Sequence, residues 1–161
     1  MSRSVTSAAD TGSASERLQA LGLALPELRD SPYYVHHRNV DSSIYISGQL
    51  PYKDGELLGR GIVGRDVELD TAKELARHAA LNCLAAAVQA VGDLDRVRIV
   101  QMLVFVASTP DFGLQSTVAS AASDLLIEVL GENGRHARTA IGVAGLPVNS
   151  PVEIQMVCTA V

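Results

Sequence analysis

The sequence predicts an α/β fold in which one sheet, in the order β-β-α-β-α-β-β, carries two long helices on one face. Three observations predict it. Residues 71–91 and 112–130 repeat apolar side chains at helical spacing, and each run is closed by a glycine. Five shorter runs, 33–40, 43–48, 97–108, 139–144 and 152–159, read as strands. The third of these is apolar on both sides, so both sheet faces need a cover. For 161 residues the simplest organisation is a disordered Ser/Thr/Ala-rich tail over 1–14 and a single domain over 15–161.

Taken in order, Ser15 can cap a short N-terminal amphipathic helix over 16–23, with Leu18, Leu21 and Leu25 as its apolar contacts and Pro26 as its stop. Strands 33–40 and 43–48 form a hairpin about Asp41-Ser42. Residues 51–66 hold Gly55, Gly59, Gly61 and Gly64 and read as a loop. Asp70 caps the helix over 71–91, whose stripe Leu75, Ala79, Cys83, Ala86 and Ala90 permits close packing on a sheet, and Gly92 ends it. Strand 97–108 sets Val97, Ile99, Leu103 and Phe105 on one side and Val100, Met102, Val104 and Val106 on the other. Asp111 caps the helix over 112–130, and Gly131 closes it. Two long helices cover one face of such a sheet and leave the other bare. A second copy of the chain is the simplest cover, so a homo-oligomer is expected.

Composition excludes several functions. With 13 Lys and Arg against 18 Asp and Glu the net charge is −5, which argues against a nucleic-acid or anionic-membrane partner. Phe105 and Phe112 read as core, not as base-stacking platforms. Cys83 and Cys158 belong to no CxxC pair and read as buried free thiols of a reducing compartment. No apolar run approaches the ~20 residues of a membrane span, and residues 1–13 lack a secretory apolar segment. The expected location is cytoplasmic. No GxSxG, Walker A, GxGxxG, HExxH or EF-hand pattern occurs.

The stretch 134–154 is the most informative. Arg138 stands at the entrance of one strand and Glu153 at the entrance of the next, with Leu146-Pro147-Val148-Asn149 turning between them. A cation and a carboxylate brought together by neighbouring strands can hold a small carboxylic acid and handle a water molecule. Arg138 has five fixed donors suited to a carboxylate; a surface pair with Glu132 or Glu128 is the alternative. Glu153 projects from the face opposite Val152 and Ile154, and is either a solvated strand residue or an interface carboxylate that needs a partner. His136, between Arg135 and Arg138, is a loop donor and acceptor. His36 and His37 point to opposite faces and do not have metal-ligand spacing, and His78 reads as exposed. Ser47-Gly48 ends a strand where backbone N–H groups can face a ligand.

These residues carry a resemblance. Ser47-Gly48-Gln49-Leu50-Pro51 resembles the SGQ(I/L)P signature of the Rid/YjgF family of reactive-intermediate deaminases. The strand at 97–108 followed by Asp111-Phe112 looks like the family's next block. Arg138, Leu146-Pro147 and Glu153-Ile154 match its closing arginine, Leu-Pro and glutamate. The resemblance covers about residues 30–161. It implies an α/β fold like chorismate mutase of the trimeric type, with ligand sites in clefts between the subunits of a homotrimer. It also implies hydrolysis of small enamine or imine carboxylic acids to keto acids and ammonia, without cofactor or metal. On this resemblance Arg138 grips the substrate carboxylate and Glu153 positions the water. Ser47 and Gly48 line the cleft, and either Tyr33 or Tyr34 stands at its rim. Two positions depart from the family pattern: Ala140 stands where a cysteine is common, and Ser116 where the cleft has an asparagine. Those departures also admit a binding or regulatory protein without turnover. Ribonuclease activity, also attached to the family, finds little support in the charge and aromatics.

Overall fold

The computed structural model describes residues 12–161, so most of the expected tail lies outside the described residues. The first helix, α1 (Ala14–Ala20), begins two residues earlier than expected. Ser13, not Ser15, is its cap: the Ser13 hydroxyl accepts from Glu16 N–H, and the Glu16 carboxylate accepts from Ser13 N–H. This reciprocal pair satisfies two helix-end donors at once. The helix ends by Leu21, short of Pro26, and Arg17 ties it to the rest by donating to the Val129 carbonyl at 2.8 Å.

The main sheet is built from β1 (His37–Val40), β2 (Ser43–Gln49), β5 (Val97–Ala107), β6 (Ala137–Val143) and β7 (Val152–Ala160), in the spatial order β1-β2-β7-β5-β6. The loop expected at 51–66 contains a small hairpin, β3 (Tyr52–Lys53) and β4 (Glu56–Leu57), turning at Asp54-Gly55, the residue pair such a turn favours. Helices α2 (Leu69–Val91) and α3 (Gln115–Leu130) lie side by side on one face. The β5-α3-β6 crossover gives parallel neighbours, as expected. The β2-α2-β5 crossover does not, because the last strand, β7, inserts between its two ends and pairs antiparallel with both.

Both expected caps of the long helices fail. Glu68 occupies the N-cap of α2 without a side-chain bond, and Asp70 sits inside the first turn, where its charge suits the helix N-terminus. Asp111 stays in the turn before α3, which starts three residues later than expected. Alanines at 72, 76, 79, 80, 86 and 87 are buried along α2 and let it lie close to the sheet.

The expected sides of β5 need correction. Its register against β7 slips between Ile99 and Gln101, which leaves Val100 as an extra residue. The bulge changes the alternation, so Val97 and Ile99 share the helix-covered face with Met102, Val104 and Val106, all buried. The other face carries Leu103 and Phe105, joined by Tyr45, Ile141 and Val157 from neighbouring strands. Among the described residues no helix covers that face, and Tyr45 and Ile141 remain exposed on it.

Candidate functional site

Arg138 is held on the helix-covered side. It pairs in register with the buried Met102, and its side chain reaches α3. Nη1 donates to Ser120 Oγ at 3.2 Å and to Ser123 Oγ at 3.1 Å, and Nη2 donates to Ser116 Oγ at 2.8 Å. These serines stand at i, i+4 and i+7, the spacing that puts them on one helix face. Gly134 permits the approach of β6 to this helix: a methyl there would lie 2.5 Å from the Leu126 carbonyl carbon.

His136 closes the cluster. Its Nδ1 lies 2.6 Å from the Gly134 carbonyl, which can only accept, so Nδ1 carries the proton. Nε2 then accepts from Ser123 Oγ at 3.0 Å, while that same oxygen accepts from Arg138. The carboxylates expected as alternative partners are engaged elsewhere: Glu132 pairs with Arg135, and Glu128 with Arg77. Arg138 therefore has no carboxylate partner among the described residues. Of its five donors three are spent on serines, which leaves an N–H pair for an anion.

Glu153 lies on the opposite face, paired in register with Phe105. It lines an open depression of about 660 Å³ with Tyr34, Ser47, Gly48, Phe105, Leu146, Pro147 and Gln155. Burial raises its carboxyl above the ordinary glutamate range. Ser47 donates to the Val35 carbonyl at 2.6 Å, which fixes the unpaired segment before β1. This segment brings Tyr34 to the depression; Tyr33, 92% exposed, does not line it. The far rim is strained, since Val148, a β-branched residue, takes φ 51° and ψ 26°.

Arg138 and Glu153 are thus not brought together within one chain, contrary to the expectation from their strands. β5 separates β6 from β7, and the two side chains emerge on opposite faces. Arg138 gathers Ser116, His136 and, one pair along β6 on the same face, Ala140; Glu153 gathers Ser47, Gly48 and Tyr34. The cysteines take no part. Cys83 donates to the Ile154 carbonyl, and burial pushes its thiol well up and that of Cys158 to about 11.

The family model described as "YjgF/chorismate_mutase-like, putative endoribonuclease" matches residues 15–159. The chain belongs to the Rid/YjgF family. It is 41% identical over 147 residues to Protein TCP17 of Trypanosoma cruzi, covering 89% of this chain and 92% of that one. It is 30% identical over 124 residues to "Putative regulator AldR" of Lactococcus lactis, covering 77% and 84%. The crystal structure of "a putative endoribonuclease" from Shewanella oneidensis superposes with a TM-score of 0.88 at 32% identity, covering 92% of this chain and 99% of that one. The fold is that of the Rid/YjgF family, and membership supports a small-molecule-binding or deaminase-like role. Within this Rid chain, Ser120 and Ser123 are site residues that sequence reasoning missed. Their signal is the hydroxyl stripe Ser116, Ser120, Ser123, legible once Arg138 is set beside that helix.

Proposed function

We propose that two copies of this chain complete each site, in a homotrimer, and that the site hydrolyses small enamine or imine carboxylic acids to keto acids and ammonia. The observation that carries this reading is the pairing of two incomplete half-sites on opposite faces of one sheet. One is a guanidinium held by three hydroxyls with donors to spare; the other is a partly desolvated carboxylate in an open depression. Neither half-site holds and hydrolyses a substrate by itself. A neighbour's edge strand β6 laid against the bare face would supply both and would cover the exposed apolar side chains.

In this site Arg138 takes the substrate carboxylate on its free N–H pair. Glu153, ionised, accepts a proton from water as the water oxygen bonds to the imine carbon, and the C=N π electrons move to nitrogen. Glu153 hands that proton to the nitrogen, giving a carbinolamine. The carbinolamine hydroxyl then gives its own proton through Glu153 to the amine, the C–N electron pair leaves with ammonia, and the O–H electrons form the ketone C=O. A carboxyl raised by burial above its ordinary range suits both directions of that transfer. Orientation supplies much of the rest, and the reading needs no cofactor or metal. Free buried thiols fit a reducing, cytoplasmic setting.

The experiment is ammonia release from enamines generated in situ, across a varied acid panel. Acceleration that requires both Arg138 and Glu153 supports the reading, and none across the panel removes it. A second reading, a metabolite-binding regulatory protein, draws on the similarity to the Lactococcus protein named as a regulator and on Ala140, which offers no reactive side chain. Equilibrium binding of keto acids with no turnover of any imine distinguishes it.

A further inference from the structure

A pocket of about 300 Å³ lies between the irregular stretch after α1, the end of β2, and Asn82 of α2. It shares Gly48 and Tyr34 with the Glu153 depression but holds neither Glu153 nor Arg138. The stretch that walls it has no helix or strand from Leu21 to His36, a length at which loops are usually either functional or disordered. It is nonetheless pinned, because His36 Nε2 donates to the Arg29 carbonyl at 2.9 Å.

Two side chains in this wall are almost fully buried: Asn82 is 2% exposed and Gln49 7%. Asn82 spends both amide hydrogens, on the Leu50 carbonyl at 2.8 Å and the Tyr52 carbonyl at 3.0 Å. Gln49 Nε2 donates to the Ser47 carbonyl at 3.1 Å. Those bonds fix which way each amide points. Neither amide oxygen accepts from a described residue, yet among the described residues no buried side-chain N or O is unpartnered. Neither oxygen is therefore fully sealed, and the space both residues line is this pocket.

The charge and the rings agree with those two acceptors. Glu27, Asp30 and Asp54 line the pocket against one cation, Arg29, whose guanidinium already stands 5.6 Å above the Tyr52 ring. Three of the chain's four tyrosines, Tyr33, Tyr34 and Tyr52, are gathered here. Buried carbonyl oxygens, excess carboxylate and aromatic faces together recognise a donor-rich cation with an apolar body.

We propose that this pocket is a second ligand site, which takes a small primary ammonium group. The ammonium donates to the oxygens of Asn82 and Gln49, Asp30 or Asp54 balances its charge, and its alkyl part lies on the tyrosine rings. The site does not depend on the hydrolysis proposed above, and its test involves no turnover.

The chain has no tryptophan, so intrinsic tyrosine emission reports mainly on this pocket. Butylammonium should change it saturably in the full chain, with butyramide and butyrate at least about tenfold weaker. Asp30→Asn with Asp54→Asn should weaken butylammonium by at least about tenfold, with circular dichroism confirming the fold. Neither aspartate makes a described hydrogen bond, and Asp54 sits at φ 52°, which asparagine also accepts. Equal binding of butyramide or butyrate would overturn the proposal. So would full affinity in the folded double variant, or no saturable change with butylammonium.

Discussion

Gly48 faces the carboxylate of Glu153 so closely that a methyl on Gly48 would stand 3.0 Å from Glu153 Cδ and nearer still to Oε1. The glycine is there because the glutamate needs the space. Gly48→Ala should push the carboxylate aside while leaving the strand intact, since the displaced atoms are the end of a flexible side chain. Turnover of the substrate should fall by at least about tenfold, because a misplaced base loses alignment with its water. Thermal unfolding should shift little. Wild-type turnover in Gly48→Ala would show that the Glu153 position does not matter.

Glu153 itself should cost the fold stability at neutral pH. Burial raises its folded carboxyl above the unfolded value, so the folded state prefers it protonated. Stability from this group is fully present below the ordinary glutamate pKa of about 4.3 and is lost as pH rises through the raised folded value. Glu153→Gln should therefore raise the melting temperature at pH 7 and lose that advantage below about pH 4. Ligand binding should persist while turnover falls. Melting curves across pH check the first claim; a constant difference at every pH would contradict it.

Much of this site was legible because its residues sit at strand ends with clear punctuation. The strands carrying Arg138 and Glu153 were placed within two residues of their observed starts, and Ser47-Gly48 fell where expected. What failed were matters of register and layer. The bulge at Val100 adds one residue to β5 and moves Leu103 and Phe105 away from Val97 and Ile99; periodicity alone cannot show an extra residue. The insertion of β7 between β2 and β5 is a long-range pairing that local patterns do not encode. That insertion puts Arg138 and Glu153 on separated strands. Residue type alone makes Asp70 and Asp111 look like caps, but the N-caps are Glu68 and Leu114, so the helices start elsewhere.

The serine ladder should act through Arg138. Replacing Ser116, Ser120 and Ser123 together with alanine leaves the positive charge but frees its long side chain, which loses pre-organisation. KM should rise more than kcat falls, since the carboxylate anchor is what weakens. Arg138→Ala should cost about 2–5 kcal/mol of ligand binding or transition-state stabilisation, or roughly 30- to several-thousand-fold. Arg138→Lys should recover only part, because an ammonium cannot reproduce the planar fork. Wild-type ligand affinity in Arg138→Ala would make this arginine a surface charge only.

Val148 offers a test of strain at the cleft rim. Its φ of 51° is costly for a β-branched residue, and it is 54% exposed, so little packing depends on it. Val148→Asn keeps the turn with a residue that accepts this conformation, and should stabilise by about 1 kcal/mol. For a chain of this size that is a rise of about 2–4 °C in melting temperature. An unchanged or lower melting temperature would mean that the Val148 side chain is held by contacts worth the strain.

The division of the site between copies makes the most demanding prediction. Arg138→Ala and Glu153→Gln chains should each be inactive as homotrimers, with light scattering giving about three times the 17.0 kDa chain for both. Unfolded together and refolded as a mixture, they should regain activity that neither has alone. In random assembly one site in about four joins an intact Arg138 from one chain to an intact Glu153 from its neighbour, so recovery should approach a quarter of the wild-type rate. A site contained in a single subunit cannot be rescued this way, because every chain in the mixture lacks one of the two groups. No recovery from a mixture that has formed mixed trimers would therefore place both residues in one subunit's site or remove one of them from it. Recovery near a quarter would assign the arginine and the glutamate to different copies.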